Sequence, residues 1–398
     1  MSDTTVVPLH MRRDGFDPAP ELSALREGEG VRRVPTPFGV EAWVVSRYAD
    51  VREVLGDPTR FSNAQSMVFR GAGRPQYSEE QTRRMLAGNL LAFDPPEHTR
   101  LRRILTPEFT MRRIRRLEPR VHEIVAEHLD AMERTGPPAD LVTAFALPIP
   151  SLVICELLGV PYGDRDGFQR RTGKVLDISL PVEERTAASA EQRAYMTGLV
   201  ARAQAEPGED MLGMLVREHG DDLSTDELVG IAGLLLLAGH ETTSNMLGLG
   251  TLALLRHPDQ LDLLRKEPER IGATVEELLR WLSIVHSGTG KVTTTEVELS
   301  GVRVPAGALV MCALPAANRD PAFISDPDRL DITRGDLGHV AFGHGVHHCL
   351  GAPLARMEMR IAFPALFERF PGLRETGTAP VFRSFNVVYG LTAFEVTW

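Results

Sequence analysis

Cysteine is scarce: Cys155, Cys312 and Cys349 are the only three in 398 residues, which excludes a disulfide scaffold. Lysine is equally rare. Lys174, Lys266 and Lys291 are all there are, so arginine supplies the other 41 of the 44 basic residues; a GC-rich genome accounts for this bias without any mechanism. A positive net charge is also missing. The balance of −10 speaks against a nucleic-acid binder that relies on bulk positive charge. Long apolar runs are absent: the longest, Ile231 to Gly239, falls well short of the roughly 20 residues that a membrane span needs. The N-terminus, Met1-Ser2-Asp3-Thr4-Thr5, lacks the basic-then-apolar profile of a signal peptide. Repeats, low-complexity tracts and long linkers are missing too. A hydrophobic share of 43% with 25% charged residues is that of an ordinary globular protein. These absences lead us to expect a soluble, cytoplasmic protein folded as a single domain over 1–398, with neither nucleic acid nor membrane as partner.

What is present is mostly helical in period. Ile114, Leu117, Val121, Ile124, Val125, His128 and Leu129 follow three-and-four spacing. Two shorter stretches read as strands. Val31 to Val34 and Glu41 to Val45 flank a Pro- and Gly-containing turn, and β-branched alternation marks Lys291 to Leu314. The expected fold is mainly α with a minor β region.

One helix is unusually informative. Ser224-Thr225-Asp226-Glu227 forms a capping box, and Pro258 stops the pattern. About 32 residues at 1.5 Å rise span roughly 48 Å, enough to cross a whole domain. Ile231 through Ala238 is apolar on every side, which predicts burial on every side. Gly239, His240, Glu241, Thr242, Thr243, Ser244 and Asn245 follow directly. A polar turn in a buried helix is costly unless it is used, or unless the hydroxyls bond back to the preceding turn. Gly239 lacks a side chain and would let another molecule approach the backbone. Both readings stay open on this helix alone.

Several familiar patterns fail on inspection. His240-Glu241-Thr242-Thr243-Ser244 begins like H-E-x-x-H but puts Ser244 where the second ligand belongs. Gly288-Thr289-Gly290-Lys291 lacks the first glycine of a phosphate loop, and Val292 follows the lysine. His339, His344, His347, His348 and Cys349 lack the regular spacing of a zinc site. Cys155 and Cys312 sit in apolar surroundings and read as small buried residues.

The segment Phe342-Gly343-His344-Gly345-Val346-His347-His348-Cys349-Leu350-Gly351 fills the pattern F-x-x-G-x-H-x-C-x-G completely. It resembles the haem-binding loop of the cytochrome P-450 superfamily, the haem-thiolate monooxygenases. Physical reasons accompany the match. Cys349 lies near the start of a helix, whose N-terminal amides favour a thiolate. Gly345 and Gly351 let backbone approach a flat macrocycle. Phe342 can shield the sulfur from water.

The resemblance implies more along the chain. Cys349 would be the iron ligand and haem b the cofactor, held between the long helix and the helix after Cys349. Ala238-Gly239-His240-Glu241-Thr242 is similar to the family's oxygen-binding segment, so Glu241 and Thr242 would be the acid–alcohol pair that guides protons, with Ala238 and Gly239 against the cofactor. His347, His98 and Arg102 would face the haem propionates. Lys291 stands where the family usually has an arginine, and a lysine lacks the bidentate fork. Glu277-Leu278-Leu279-Arg280 matches E-x-x-R, with Arg319 and Arg329 both open as the arginine that completes its network. Pro364 is expected to kink or shorten the helix after Cys349.

Substrate-pocket walls are expected from Val68, Leu90, Leu234, Leu237, Val285, His286, Phe385 and Val387. Their apolar character suggests a medium-sized hydrophobic substrate, a polyketide, terpenoid or similar secondary metabolite, that is hydroxylated or epoxidised. With no flavin or iron–sulfur segment, electrons would come from NAD(P)H through a reductase and an acidic ferredoxin. Arg100, Arg102, Arg103, Arg112, Arg113, Arg115, Arg116 and Arg120 crowd one stretch and would form its docking face. The protein is expected to be a monomer. A peroxide-using haem-thiolate enzyme and a haem-based sensor or carrier are the alternative readings.

Overall fold

The computed structural model describes residues 7–36, 40–67, 78–287, 289–335, 338–383 and 385–398. Its backbone is organised by the long helix. The Ser224 hydroxyl accepts from the Glu227 amide while the Glu227 side chain accepts from the Ser224 amide, so the expected capping box is formed and starts a helix over Thr225–Arg256. Around it, in chain order, lie β1 (Val31–Pro35), β2 (Glu41–Val45), β3 (Phe61–Ser62), α1 (Glu79–Leu86), α2 (Glu97–Leu105), α3 (Met111–Thr135), α4 (Pro148–Leu158), α5 (Arg165–Leu176), α6 (Val182–Ala205), the long helix itself as α7, α8 (Ile271–Leu282), β4 (Gly290–Thr293), β5 (Leu309–Cys312) and α9 (Ala352–Arg369).

The anticipated hairpin pairs β1 with β2 in antiparallel register, Val31 opposite Val45. The anticipated later β zone supplies β4 and β5. β5 runs parallel to β2 and antiparallel to β4, giving the five-stranded order β1-β2-β5-β4-β3. The principal core lies instead between helices: Ile124 and Val125 of α3, Leu152 and Ile154 of α4, Leu235 and Leu247 of α7, Leu278 of α8 and Phe363 of α9 are all buried in one cluster. Mainly helical architecture with a minor sheet is therefore what the chain adopts.

Two expectations need correction. Pro364 does not shorten α9, which continues through it to Arg369. Nor is α7 closed on every side. Leu234 and Leu237 are half-buried and Ala238 is exposed, although Leu235 and Leu236 between them are buried. Leu234, Ala238 and Thr242 recur every four residues, so they share one face of the helix, which the surrounding protein leaves partly uncovered.

Candidate active site

Residue type dictates the shape of the Cys349 loop. The Cys349 amide donates to the Phe342 carbonyl at 2.9 Å and the His348 amide to the Gly345 carbonyl at 3.0 Å. Gly345 has φ of +73°, and a Cβ there would lie 2.7 Å from the Leu55 carbonyl oxygen. Only glycine fits this position without strain. The helix α9 starts three residues after Cys349 and packs on α7. Burial of the sulfur within the protein raises its pKa, while the Gly351 and Ala352 amides and the Arg102 and Arg356 charges pull it down. The amide effect anticipated from the sequence is present, but burial outweighs it.

Phe342 is held by a chain of contacts the sequence did not reveal. Its ring lies under the Arg356 guanidinium, 4.7 Å from the centroid. Arg356 donates to both oxygens of Glu276 on α8, at 2.6 and 2.7 Å, and His339 stands 3.2 Å from the same carboxylate. Burial works against that carboxylate, but the Arg356 and His339 contacts prevail and pull it to about 2. Its neighbour Glu277 pairs with Arg280 at 2.7 Å, both fully buried. The second arginine of this network is Arg334, 3.4 Å from Glu277, and neither of the two left open. Arg319 lies over the Trp281 ring and pairs with Asp17 and Asp328, and Arg329 offers only its carbonyl to Arg280.

Beside the loop the fold gathers positive charge. The His98 and His347 rings are 4.2 Å apart, and all four of their nitrogens are buried without a hydrogen-bond partner. Lys291 on β4 is only 3% exposed. Burial lowers its pKa, against the pull of Cys312 and Asp94. Burial, followed by the charges of Lys291, His98 and Arg102, pushes His347 down to about 3. Burial with the charges of Arg102 and Lys291 lowers His98 as well, with Asp94 acting the other way. Two unsatisfied imidazoles, a buried ammonium and a half-buried guanidinium in one place cost free energy unless anions arrive. The propionates of a haem would have that charge, and Cys349, the candidate iron ligand, lies in the neighbouring loop. These residues fit the group.

On α7 the polar turn is satisfied within the protein. Thr242 Oγ1 donates back to the Ala238 carbonyl at 2.8 Å. Glu241, 3% exposed, accepts from Arg383 Nη1 at 2.7 Å, and the Asn245 amide donates to the Glu241 carbonyl at 2.7 Å. Arg383 belongs to the C-terminal segment and was not foreseen. The space beside Gly239 is taken, since a Cβ there would lie 2.8 Å from Ile154 of α4. Its glycine thus serves helix packing on that side, rather than the approach of a ligand.

The predicted pocket walls divide. Val285 and Val387 are half-buried, Phe385 is 9% exposed and Leu90 is 6% exposed. The strip after α8 pairs with the C-terminal segment through Val285 and Val388, and the Tyr389 amide donates to the Ile284 carbonyl. His286 does not line a cavity: it is fully buried and bonds the Asn386 carbonyl at 2.6 Å. Burial takes its ring to about 3, so it clips two segments together. Val68 lies outside the described residues. The arginine stretch divides as well. Arg100 is tied to Glu97 and Glu227, and Arg120 to Glu123, Glu127 and Glu156. Arg103, Arg112, Arg115 and Arg116 are exposed.

Comparison with known proteins decides the family. The sequence model described as Cytochrome P-450 matches residues 182–380. Cytochrome P-450 FAS1 of Rhodococcoides fascians is 49% identical over 100% of both chains. The chain belongs to the cytochrome P-450 family. A second relative, the mycinamicin IV hydroxylase/epoxidase of Micromonospora griseorubida, is 44% identical over 90% of this P-450 chain and 90% of its own. Among solved structures, the LnmA cytochrome P-450 hydroxylase from the leinamycin biosynthetic pathway of Streptomyces atroolivaceus superposes with a TM-score of 0.87. It is 44% identical and covers 97% of this chain and 98% of its own. The protein is accordingly a cytochrome P-450 monooxygenase, and the family implies a haem-iron cofactor. No helix among the described residues is long and apolar enough to cross a membrane.

Proposed function

We propose that this P-450 hydroxylates or epoxidises a medium-sized hydrophobic secondary metabolite, acting as a cytoplasmic, monomeric single domain. The observation that carries the reading is the open stripe of α7. Leu234, Leu237 and Ala238 offer an apolar wall beside Thr242, in a helix that packs against α9 just beyond Cys349. The printed activity of the mycinamicin relative supports the reaction class.

Haem b would be ligated by Cys349, with its propionates against His98, Arg102, Lys291 and His347. When bound, the group supplies the activation of O2 and the abstraction of hydrogen from carbon, favoured by the charge a thiolate donates. The chain's own residues do the rest. Phe342, which Arg356 and Glu276 hold in place, would screen the Cys349 sulfur. Lys291 and Arg102 neutralise carboxylates in a site where unpaired charge is costly. Glu241 and Thr242 handle protons at the carboxylate and at Oγ1, one turn of helix from the apolar wall. Thr242 must first release the Ala238 carbonyl, a rotation that costs one ordinary hydrogen bond of about 1 kcal/mol.

Electrons would arrive from an acidic ferredoxin and its NAD(P)H reductase at the face bearing Arg103, Arg112, Arg115 and Arg116. Oxygen uptake driven by NADH, ferredoxin and reductase, with 18O2 as the oxygen source, tests the whole reading. One labelled oxygen atom in the product is expected. Turnover with hydrogen peroxide but none with NADH would instead make it a peroxide-using enzyme, and turnover with neither a sensor or carrier.

A further inference from the structure

Arg383 holds the acid of α7 from outside the helix, and it belongs to a segment that also reaches the expected pocket. Val381–Phe382 pairs antiparallel with Leu391–Ala393, and just beyond these strands the Arg383 amide donates to the Gly390 carbonyl at 2.9 Å. Both residues of this facing pair rest on the polar turn of α7. Arg383 Nη1 donates to Glu241 Oε2 at 2.7 Å. A Cβ on Gly390 would overlap the Asn245 side chain, so glycine is what lets the second limb lie this close. Asn245 in turn donates to the Glu241 carbonyl at 2.7 Å. The hairpin thus grips Glu241 and Asn245, which are stacked one helical turn apart.

Phe385 and Val387, expected above as pocket walls, lie between Arg383 and Gly390 in the chain. Their stretch is tied on two sides. The Phe385 carbonyl accepts from the Ile178 amide at 3.1 Å, and the Val387 amide donates at 3.2 Å to the carbonyl of Leu176, the last residue of α5. On the strip after α8, the Ser287 amide donates to the Val387 carbonyl at 3.3 Å and the Tyr389 amide to the Ile284 carbonyl at 2.8 Å. Phe382 and Tyr389 stack across the two limbs, with 5.7 Å between centroids and 16° between planes. A segment tied this densely moves as a unit, because close-packed interiors transmit strain. At 2.7 Å the Arg383–Glu241 contact already has the length of a good charge-assisted bond. A shift of the hairpin therefore weakens it.

We propose that Arg383 is a positioning residue that ties the freedom of Glu241 to the filling of the pocket. A substrate large enough to press on Phe385 and Val387 shifts the hairpin, loosens Arg383 and releases the carboxylate. A molecule too small to reach them leaves the carboxylate held, so the ion pair selects for substrate size. This rests on the reading of Glu241 as the acid and of Phe385 and Val387 as walls. Such a coupling is reciprocal. A ligand that must weaken the pair in order to bind will bind more tightly where the pair is missing, and one that touches neither wall will not notice its loss.

The test uses the haem-loaded protein and three iron-binding probes of rising size: imidazole, 4-phenylimidazole and clotrimazole. Their affinities are read from the Soret shift on binding. Phe385→Ala and Val387→Ala identify the probes that reach the hairpin. Arg383→Met should bind those probes about fivefold or more tightly than the wild type and bind imidazole equally well. Arg383→Lys, which keeps the charge, should return part of the way. A second readout needs no Arg383 variant. In the wild type, the carboxylate infrared band that Glu241→Gln removes should shift when a probe that reaches the hairpin binds, and should stay in place with imidazole. Unchanged affinity in Arg383→Met for such a probe, or a Glu241 band indifferent to it, would overturn the role of Arg383 alone. If no probe responds to Phe385→Ala or Val387→Ala, these residues are not walls and the proposal falls with that reading. Neither readout needs turnover, so both stand apart from the 18O2 measurement that tests oxygenation itself.

Discussion

Two buried polar regions flank the Cys349 loop, and they are built on opposite rules. Around Glu277 most strong groups are matched: Arg280 donates to both carboxylate oxygens and to the carbonyls of Asn318, Pro327 and Arg329, and the Asp331 amide adds a third donor to Glu277, while Arg334 Nε, 3.4 Å away, adds charge without a hydrogen bond. Around His98 and His347 the opposite holds. Four ring nitrogens lack partners, and Lys291 and Arg102 lower the ring pKa values still further. Both regions are buried and both are basic-rich, so burial alone does not mark a functional site. Satisfaction separates them. A matched cluster fixes the fold, while an unmatched one costs stability that a ligand can return.

The largest effect that would test this contrast lies on the matched side. Arg280→Leu should destabilise the protein by about 3–5 kcal/mol, because it leaves Glu277 buried without its main partner. His347→Phe should leave haem-free stability unchanged or raise it, while weakening haem retention. Urea denaturation of the haem-free proteins measures both, and equal losses would erase the distinction.

Next comes the ligand itself. Cys349→Ala should abolish the red-shifted Soret band of the reduced CO complex, whereas Cys155→Ala and Cys312→Ala should keep it. Cys312 is fully buried, and burial pushes its thiol up to about 12, so it is a poor thiolate donor.

A pH experiment sharpens the comparison further. His347 titrates near 6.5 when unfolded and at about 3 in the folded haem-free protein. The unfolded state therefore binds the extra proton first, and haem-free stability should fall as pH drops from about 6.5 toward 3. Glu276, depressed to about 2, stabilises the fold above its unfolded value of 4.5, and that contribution is lost as pH falls toward 2. His347→Phe should remove one share of the upper part of this decline, the rest coming from other buried histidines such as His98 and His286. Haem loading should flatten the same upper part, since propionates favour the charged ring.

The smallest effect concerns the surface. Charge reversal at Arg112 and Arg116 should slow reduction by an acidic ferredoxin without changing haem content. Salt should slow the wild type too, because exposed charges are screened within about 10 Å at 0.1 M. Stopped-flow reduction rates indifferent to both changes would leave these arginines as a solvated face.

Where the sequence reading succeeded, the signal was local. The capping box spans Ser224 to Glu227, the hairpin joins neighbouring strands, and the ten residues ending at Gly351 carry their own pattern. The Glu277–Arg280 pair is three residues apart on one helix and reads directly. What escaped it was tertiary. Arg383 reaches Glu241 across 142 positions, and nothing near either residue announces the other. Arg334 completes the buried network, although Arg319 and Arg329 were equally basic candidates. The Gly239 neighbour is Ile154, known only once α4 packs on α7. Apolar periodicity gave α7 a uniform surface, and the exposed stripe at Ala238 follows from what its neighbours leave uncovered. His286 shows the same limit, since a polar residue in an apolar strip can face a cavity or clip two segments together.

The central claim is that the unpartnered basic side chains beside Cys349 await the carboxylates of haem. Titrating the haem-free protein with haem and with haem dimethyl ester, whose propionates are uncharged, addresses this directly. Haem should bind more tightly than its ester, and the gap should shrink when Lys291→Met and His347→Phe are combined. Equal affinity for the two in the wild type would contradict the claim and leave the cluster without an anionic ligand.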